Sequence, residues 1–148
     1  MLQDTSIIEI KHKRFVERVV KFETVWALQY DEGFAASESN DFDNAQVIPF
    51  WSDKAYAKAV AKAGWQHYVP EPMSLSDFIE NSLVGMHSDG QLVGTNWDAN
   101  MFGKETEPLE LALEIVELLM SKGKNPELLK YKDINDYHLQ VKRALGVA

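Results

Sequence analysis

Apolar residues recur three and four positions apart at the start of the chain. Ile8, His12, Phe15, Val16, Val19 and Val20 share one helical face, and Lys13, Glu17 and Lys21 lie opposite. "SIIE" (6–9) has the form of a capping box, which places the start of this helix at Ser6. The period then changes. "TVWALQY" (24–30) is β-branched and aromatic, and "DEG" (31–33) turns it into "FAASES", a hairpin with a slightly long loop. "NDFDN" (40–44) is a polar turn and "VIPFW" (47–51) a short strand. Pro49 has no N–H for a ladder and predicts an edge position or a bulge there.

Helical spacing returns in "DKAYAKAVAKAG", with Ser52 as the expected N-cap and Gly64 as the stop. Lys54, Lys58 and Lys62 form a solvated stripe, which turns Tyr56, Ala59, Val60 and Ala63 toward a sheet. "WQHYVPEP" (65–72) is extended and ends on two prolines. Ser74 then opens a helix with Asp77 in its first turn, and Leu75, Phe78, Ile79, Ser82, Leu83 and Met86 fall within an arc of about 140°. "SDG" (88–90) closes it and "QLVGTN" (91–96) is the last expected strand.

The helix from Glu107 to Met120 is more apolar. Glutamates 107, 110, 114 and 117 make a narrow stripe, and the other residues spread apolar surface over about 220°. Such a helix needs cover on two sides, one from the sheet and the other from the tail, which is favoured, or from a second subunit. Asn125-Pro126 reads as a cap followed by proline at the first helical position. The final helix then aligns Ile134, Tyr137, His138, Val141 and Leu145. The expected order is α-β-β-β-α-β-α-β-α-α. This is an α+β single domain with about five short, mainly antiparallel strands, a core over 1–122 and a helical extension over 123–148 packed on it.

Length agrees with one domain, since 148 residues can bury about two-thirds of the unfolded surface. The net charge of −8 and a pI of about 4.9 argue against nucleic acid, which requires a clustered cationic surface. They favour neutral or basic partners. The tail carries +2 and the body −10, so the two suit each other electrostatically. Cysteine is absent, which excludes disulfides, thiolate metal sites and a cysteine nucleophile. The first residues lack the pattern of a secretory leader, and no apolar run approaches the ~18 residues of a membrane span. The expectation is a cytoplasmic protein, monomer or homodimer, without membrane contact.

"LVGTNWDANMFGKE" (92–105) is the string that most resembles a site. As a calcium loop it fails, because Phe102 and Leu109 stand where oxygen ligands belong. Asp98 with Glu105 is a conceivable acid–base pair, with Asn96 or His67 assisting. The alternative is turn chemistry: Asn96 and Asp98 bond the backbone, Trp97 fills the core, and Gly103 permits a tight bend. Turn chemistry is the commoner use of these residues. Of the four histidines, none forms a metal-binding pair. His12 and His138 lie on apolar faces and read as packed, hydrogen-bonded side chains. His87 ends a helix, where it favours the dipole, and His67 is the best titrating candidate. Neither a G-x-S-x-G elbow nor a glycine-rich phosphate loop occurs, so no cofactor is expected. Trp26, Trp51, Trp65 and Trp97 neighbour apolar residues and read first as core.

The series "VWAL", "PFWSDKAYA", "W..Y.P" and "L..F....L.GM..DG.LVG.NWD....G.E..P..L" is more specific than any single motif. It resembles domain-of-unknown-function family 2750 over about residues 14–118. The resemblance implies a bacterial, intracellular, single-domain protein and carries no catalytic residue or cofactor with it. It also implies that "PFWS" and "GTNWD" are linked parts of one fold. Two functions remain. The favoured one is a non-catalytic protein- or peptide-binding module, adaptor or immunity-like, with Asn96, Trp97, Asp98 and Trp51 as binding candidates. The other is a small acid–base hydrolase using Asp98 and Glu105, with His67 as a further catalytic candidate.

Overall fold

The computed structural model describes residues 5–148. Helix α1 (Thr5–Phe22) is already helical at Thr5, so Ser6 lies inside it rather than at its cap. Glu9 does not reach back along the helix; it pairs with Lys104 Nζ at 2.8 Å. The expected face is the buried one, with His12, Phe15, Val16, Val19 and Val20 all inside. Strand β1 (Thr24–Tyr30) turns through Asp31 and Glu32 into β2 (Gly33–Phe34), with Tyr30 opposite Gly33. This loop is one residue tighter than expected because Asp31 adopts φ +56°.

"FAASES" divides into two pieces, since β3 (Ser37–Glu38) leaves β2 to pair with β4 (Gln46–Phe50). After α2 (Lys54–Gly64), strand β5 (Val69–Ser74) pairs antiparallel with β1 along its whole length. Prolines 70 and 72 sit on this outer strand, where a missing N–H breaks no ladder. Strand β6 (Leu92–Thr95) lies parallel to β4, and β7 (Lys104–Thr106) adds a seventh strand beyond the one expected to be last. The two sheets run β2-β1-β5 and β3-β4-β6-β7 and are mostly antiparallel. They meet where Trp26 and Trp51 exchange two backbone hydrogen bonds of 2.8 Å. Pro49 falls between the β3 pairing at Val47 and this bridge at Trp51, on the side where neither neighbour needs its N–H. The proline is thus neither at a bulge nor on a fully free edge.

Residues 75–88 form one helix, α3, whose middle widens into a π-turn at Phe78–Ser82. Ser74 caps it as expected, accepting from the Asp77 N–H at 3.0 Å. Helix α4 (Pro108–Ser121) is capped by Glu107, whose carboxylate accepts from the N–H groups of Leu109 and Glu110. Glu107 is therefore a cap and not part of the acidic stripe.

The final helix, α5 (Ile134–Ala144), begins well after Asn125-Pro126, because Asp133 accepts from the Asp136 N–H at 2.8 Å and sets the start there. Its Ile134, Tyr137 and Val141 join Leu111 and Ile115 of α4 in the main core, and Leu118 packs against the same cluster. The apolar width of α4 is thus covered within the chain. Tyr137 Oη donates to the Ile79 carbonyl in the π-turn at 2.5 Å, and burial pushes its phenol above the usual range. A smaller cluster of Leu28, Ala35, Trp51, Ala57, Val60 and Ala61 lies under α2.

Candidate functional site

"PFWS" and "GTNWD" come together where β4 and β6 end side by side. Asn96 takes the left-handed conformation at φ +48°, and its N–H donates to the Phe50 carbonyl at 3.0 Å. Its side chain, nearly fully buried, bridges three elements. Asn96 Oδ1 accepts from the Ser52 N–H at 2.9 Å, and Nδ2 donates to Ser52 Oγ at 3.1 Å and the Lys11 carbonyl at 3.4 Å. Ser52 is thus not the cap of α2. The N-cap is Asp53, which makes no side-chain cap bond, and Ser52 Oγ donates to its carboxylate at 2.7 Å. Asp53 instead receives a two-pronged bond from Arg18 of α1 at 2.7 and 2.6 Å. That pairing, with the Ser52 hydroxyl, holds the Asp53 carboxyl below the usual range against the opposing effect of burial.

Trp97 is wedged between two glycines. A Cβ on Gly94 would lie 2.4 Å from the indole and one on Gly103 2.3 Å, so both positions must lack one. Gly103 therefore makes room for a ring; the left-handed turn residue nearby is Met101, at φ +62°. Trp97 Nε1 donates to the Lys104 carbonyl at 2.9 Å, and Trp51 Nε1 donates to the Trp97 carbonyl at 3.0 Å. Asp98 Oδ1 accepts from the Asn100 and Phe102 N–H groups at 2.9 and 3.1 Å. These are turn contacts of the kind Asp commonly makes.

The remaining candidates lie apart from this cluster. Glu105 receives the Ser39 hydroxyl and the Asn40 N–H, the latter at 2.7 Å, and so fastens the loop after β3. It lines a hollow with Glu9, Asn40 and Gly103, whereas Asp98 lines another with Asn96 and Trp97. His67 is exposed beside Tyr30, with ring centroids 6.0 Å apart. His12 is buried between Thr95 Oγ1 and Glu114 Oε2, 2.8 Å from each. His87 and His138 pair with Glu107 and Glu117. Among the described residues no group of three or more His, Asp or Glu side chains is arranged to hold a metal, and no helix is long and apolar enough to cross a membrane.

Asn96, Trp97 and Asp98 open onto a cavity of about 220 Å³ between α1 and α2, completed by Lys11, Arg14, Tyr56, Ala59, Val60 and Ala99. Sequence spacing hid it, because it assigned Tyr56, Ala59 and Ala63 to the buried face of α2. The buried face is Ala57, Val60 and Ala61, a rotation that seats Ala57 against the Leu28–Trp51 cluster and leaves Ala59 and Ala63 exposed. Beyond Arg14 and Tyr56 the cavity continues into an open groove along Ile10, Lys13, Glu17, Arg18 and Lys21.

The model of one family, described as "Protein of unknown function (DUF2750)", matches residues 12–115. The chain belongs to domain-of-unknown-function family 2750. The matched DUF2750 segment contains both walls of the cavity except Lys11, and it stops within α4, ahead of α5. No curated protein and no solved structure matches the chain.

Proposed function

We propose that this protein is a non-catalytic module that binds an acidic segment of another protein in the cleft between α1 and α2. The observation that carries the proposal is charge segregation. Eight of the fifteen Lys and Arg residues but only two of the twenty-three Asp and Glu residues lie on these two helices. The pair bears +6 and the rest of the chain −14. A field divided in this way steers an acidic segment to one face and repels it from the others.

Local detail supports the reading. Arg18, Lys104 and Lys124 each have a carboxylate partner, whereas half-buried Lys11 and exposed Arg14 have no ion pair among the described residues. On α2 the lysines alternate with exposed Ala55, Ala59 and Ala63, whose small side chains let another backbone approach. Asn96, Trp97 and Asp98 supply the inner wall, and Trp51 holds Trp97 from behind.

Heteronuclear NMR of the labelled protein, titrated with a short glutamate-rich peptide and with its lysine counterpart, tests this. The expected result is salt-sensitive shifts along α1 and α2 with the acidic peptide alone. Equal responses to both peptides, or none to the acidic one, would overturn the proposal.

A further inference from the structure

We infer that the cavity walled by Tyr56, Val60 and Trp97 receives the C-terminal residue of that acidic segment, with its free carboxylate between Lys11 and Arg14 and an apolar side chain against the exposed surface of Tyr56, Ala59 and Ala99. This rests on the reading of the cleft as an acidic-segment site and adds the chemistry of the group that enters it.

Size limits the occupant first. At about 220 Å³ the cavity is smaller than the roughly 300–1,000 Å³ of drug- and cofactor-sized sites. It corresponds to about seven water volumes, enough for one side chain with its carboxylate and not for a run of chain. Chemistry limits it next. The walls are the Tyr56 ring, Ala59, Val60, Trp97 and Ala99, with two cations one helical turn apart on α1. An internal residue of a peptide is either apolar or acidic. A chain terminus alone places an apolar side chain and a carboxylate on the same Cα, and that combination suits a small volume lined by both cations and apolar surface.

A bare anion such as phosphate fits less well, because it would leave the apolar surface of Tyr56, Ala59 and Ala99 without a partner. The direction of the chain also follows. The cavity shares Arg14 and Tyr56 with the open groove, where Lys13 and Lys21 can meet the acidic residues that precede the terminus.

The test uses the full-length protein and three synthetic acidic peptides. One ends in leucine with a free carboxylate, one is its C-terminal amide, and one is the free acid ending in glycine. Binding is followed by NMR titration, reading the amides of Ala59 and Val60 and the Trp97 indole N–H. The free leucine peptide is expected to bind about tenfold or more tightly than its amide, the loss expected when charge-assisted hydrogen bonds are removed. The glycine peptide is expected to bind more weakly than the leucine peptide. Arg14→Gln should narrow the difference between acid and amide, while Lys58→Glu/Lys62→Glu should weaken both alike. If acid and amide bind equally, or glycine and leucine do, the terminal-residue inference is wrong while acidic-segment binding stands. If none of the three binds, the reading of the cleft itself fails.

Discussion

The turn over residues 96–103 and the cleft between α1 and α2 share a wall at Trp97, and they treat their polar groups in opposite ways. In the turn, the Asn96 amide, the Asp98 carboxylate and the Trp97 indole N–H all meet partners within the chain. In the cleft, Lys11 and Arg14 face the cavity without an ion pair among the described residues. The stretch rich in Asn, Trp, Asp and Gly, which looks like chemistry when written out, is occupied with holding the fold. The plain lysine–alanine helix beside it keeps charge available. Satisfied polar groups stabilise and rigidify; unsatisfied charges on a shaped surface are what a partner can use. Residue type therefore says less about a site than whether its valences are already filled.

The largest effect that bears on this contrast is expected at Trp97. Trp97→Ala should cost about 3–5 kcal/mol, because the indole is almost wholly buried and is clasped between Gly94 and Gly103. Gly103→Ala should cost about 1–3 kcal/mol, since its Cβ would overlap the ring. Urea melts followed by circular dichroism measure both. A Trp97→Ala protein of unchanged midpoint that no longer binds acidic peptide would invert the comparison, making the turn the site and not its support.

Asn96 comes next. Asn96→Ala leaves the buried Ser52 N–H without its acceptor and puts a non-glycine residue without a polar side chain in the left-handed region, at about 1–3 kcal/mol. Asn96→Gly relieves only the backbone part. A midpoint for the glycine variant between those of wild type and alanine separates the two contributions. If both variants match wild type, the bridge from α1 to β4 is not a structural tie.

Much of this architecture is legible in the sequence, and what is not has identifiable causes. The buried face of α1, the cap at Ser74 and the α4–α5 cover follow from local periodicity and composition. The parallel pairing of β4 with β6 does not, because it joins residues more than forty positions apart across α2, β5 and α3. β2 and β3 are two residues each, too short for any alternation to register. The rotation of α2 escaped because alanines fit a buried or an exposed face equally well, and the choice was made by Ala57 against the tryptophan cluster. The cavity was lost with it. Net charge conceals this division for a related reason: −8 is a sum, and the separation of +6 from −14 appears only once α1 and α2 are seen to be neighbours. The linkage of "PFWS" to "GTNWD" was legible only through the family resemblance, and the Ser52–Asn96 bonds are its physical content.

A smaller effect is expected at the junction of the two regions, the Arg18–Asp53 pair. Asp53 has its carboxyl held below the ordinary value near 3.9 by the guanidinium bonds. A depressed carboxylate stabilises the fold above its unfolded value and loses that contribution as pH falls through its folded value. Arg18→Gln should therefore lower the melting midpoint at neutral pH, and the gap from wild type should narrow as the solution is acidified below about pH 4. A gap that stays constant down to pH 3 would mean that the guanidinium acts through packing on Phe22, over which it also lies at 5.1 Å, and not through Asp53.

The smallest expected change in stability is on the outer face of α2, and it sharpens the comparison most. Lys58 and Lys62 are exposed and make no ion pair among the described residues. Reversing both to Glu should leave the unfolding free energy within about 0.5 kcal/mol, as for surface substitutions generally. Binding should respond very differently. The double change removes four units of charge from a face of +6 and so weakens the field that gathers an acidic segment, an effect that grows at low ionic strength. The decisive measurement is the affinity for a glutamate-rich peptide across a salt series. Wild type should lose affinity steeply with salt and the double variant should bind weakly with a shallow slope. If the variant binds as tightly as wild type with the same slope, charge on α2 plays no part in recognition, and the contrast between a satisfied turn and an available cleft says nothing about where a partner lands.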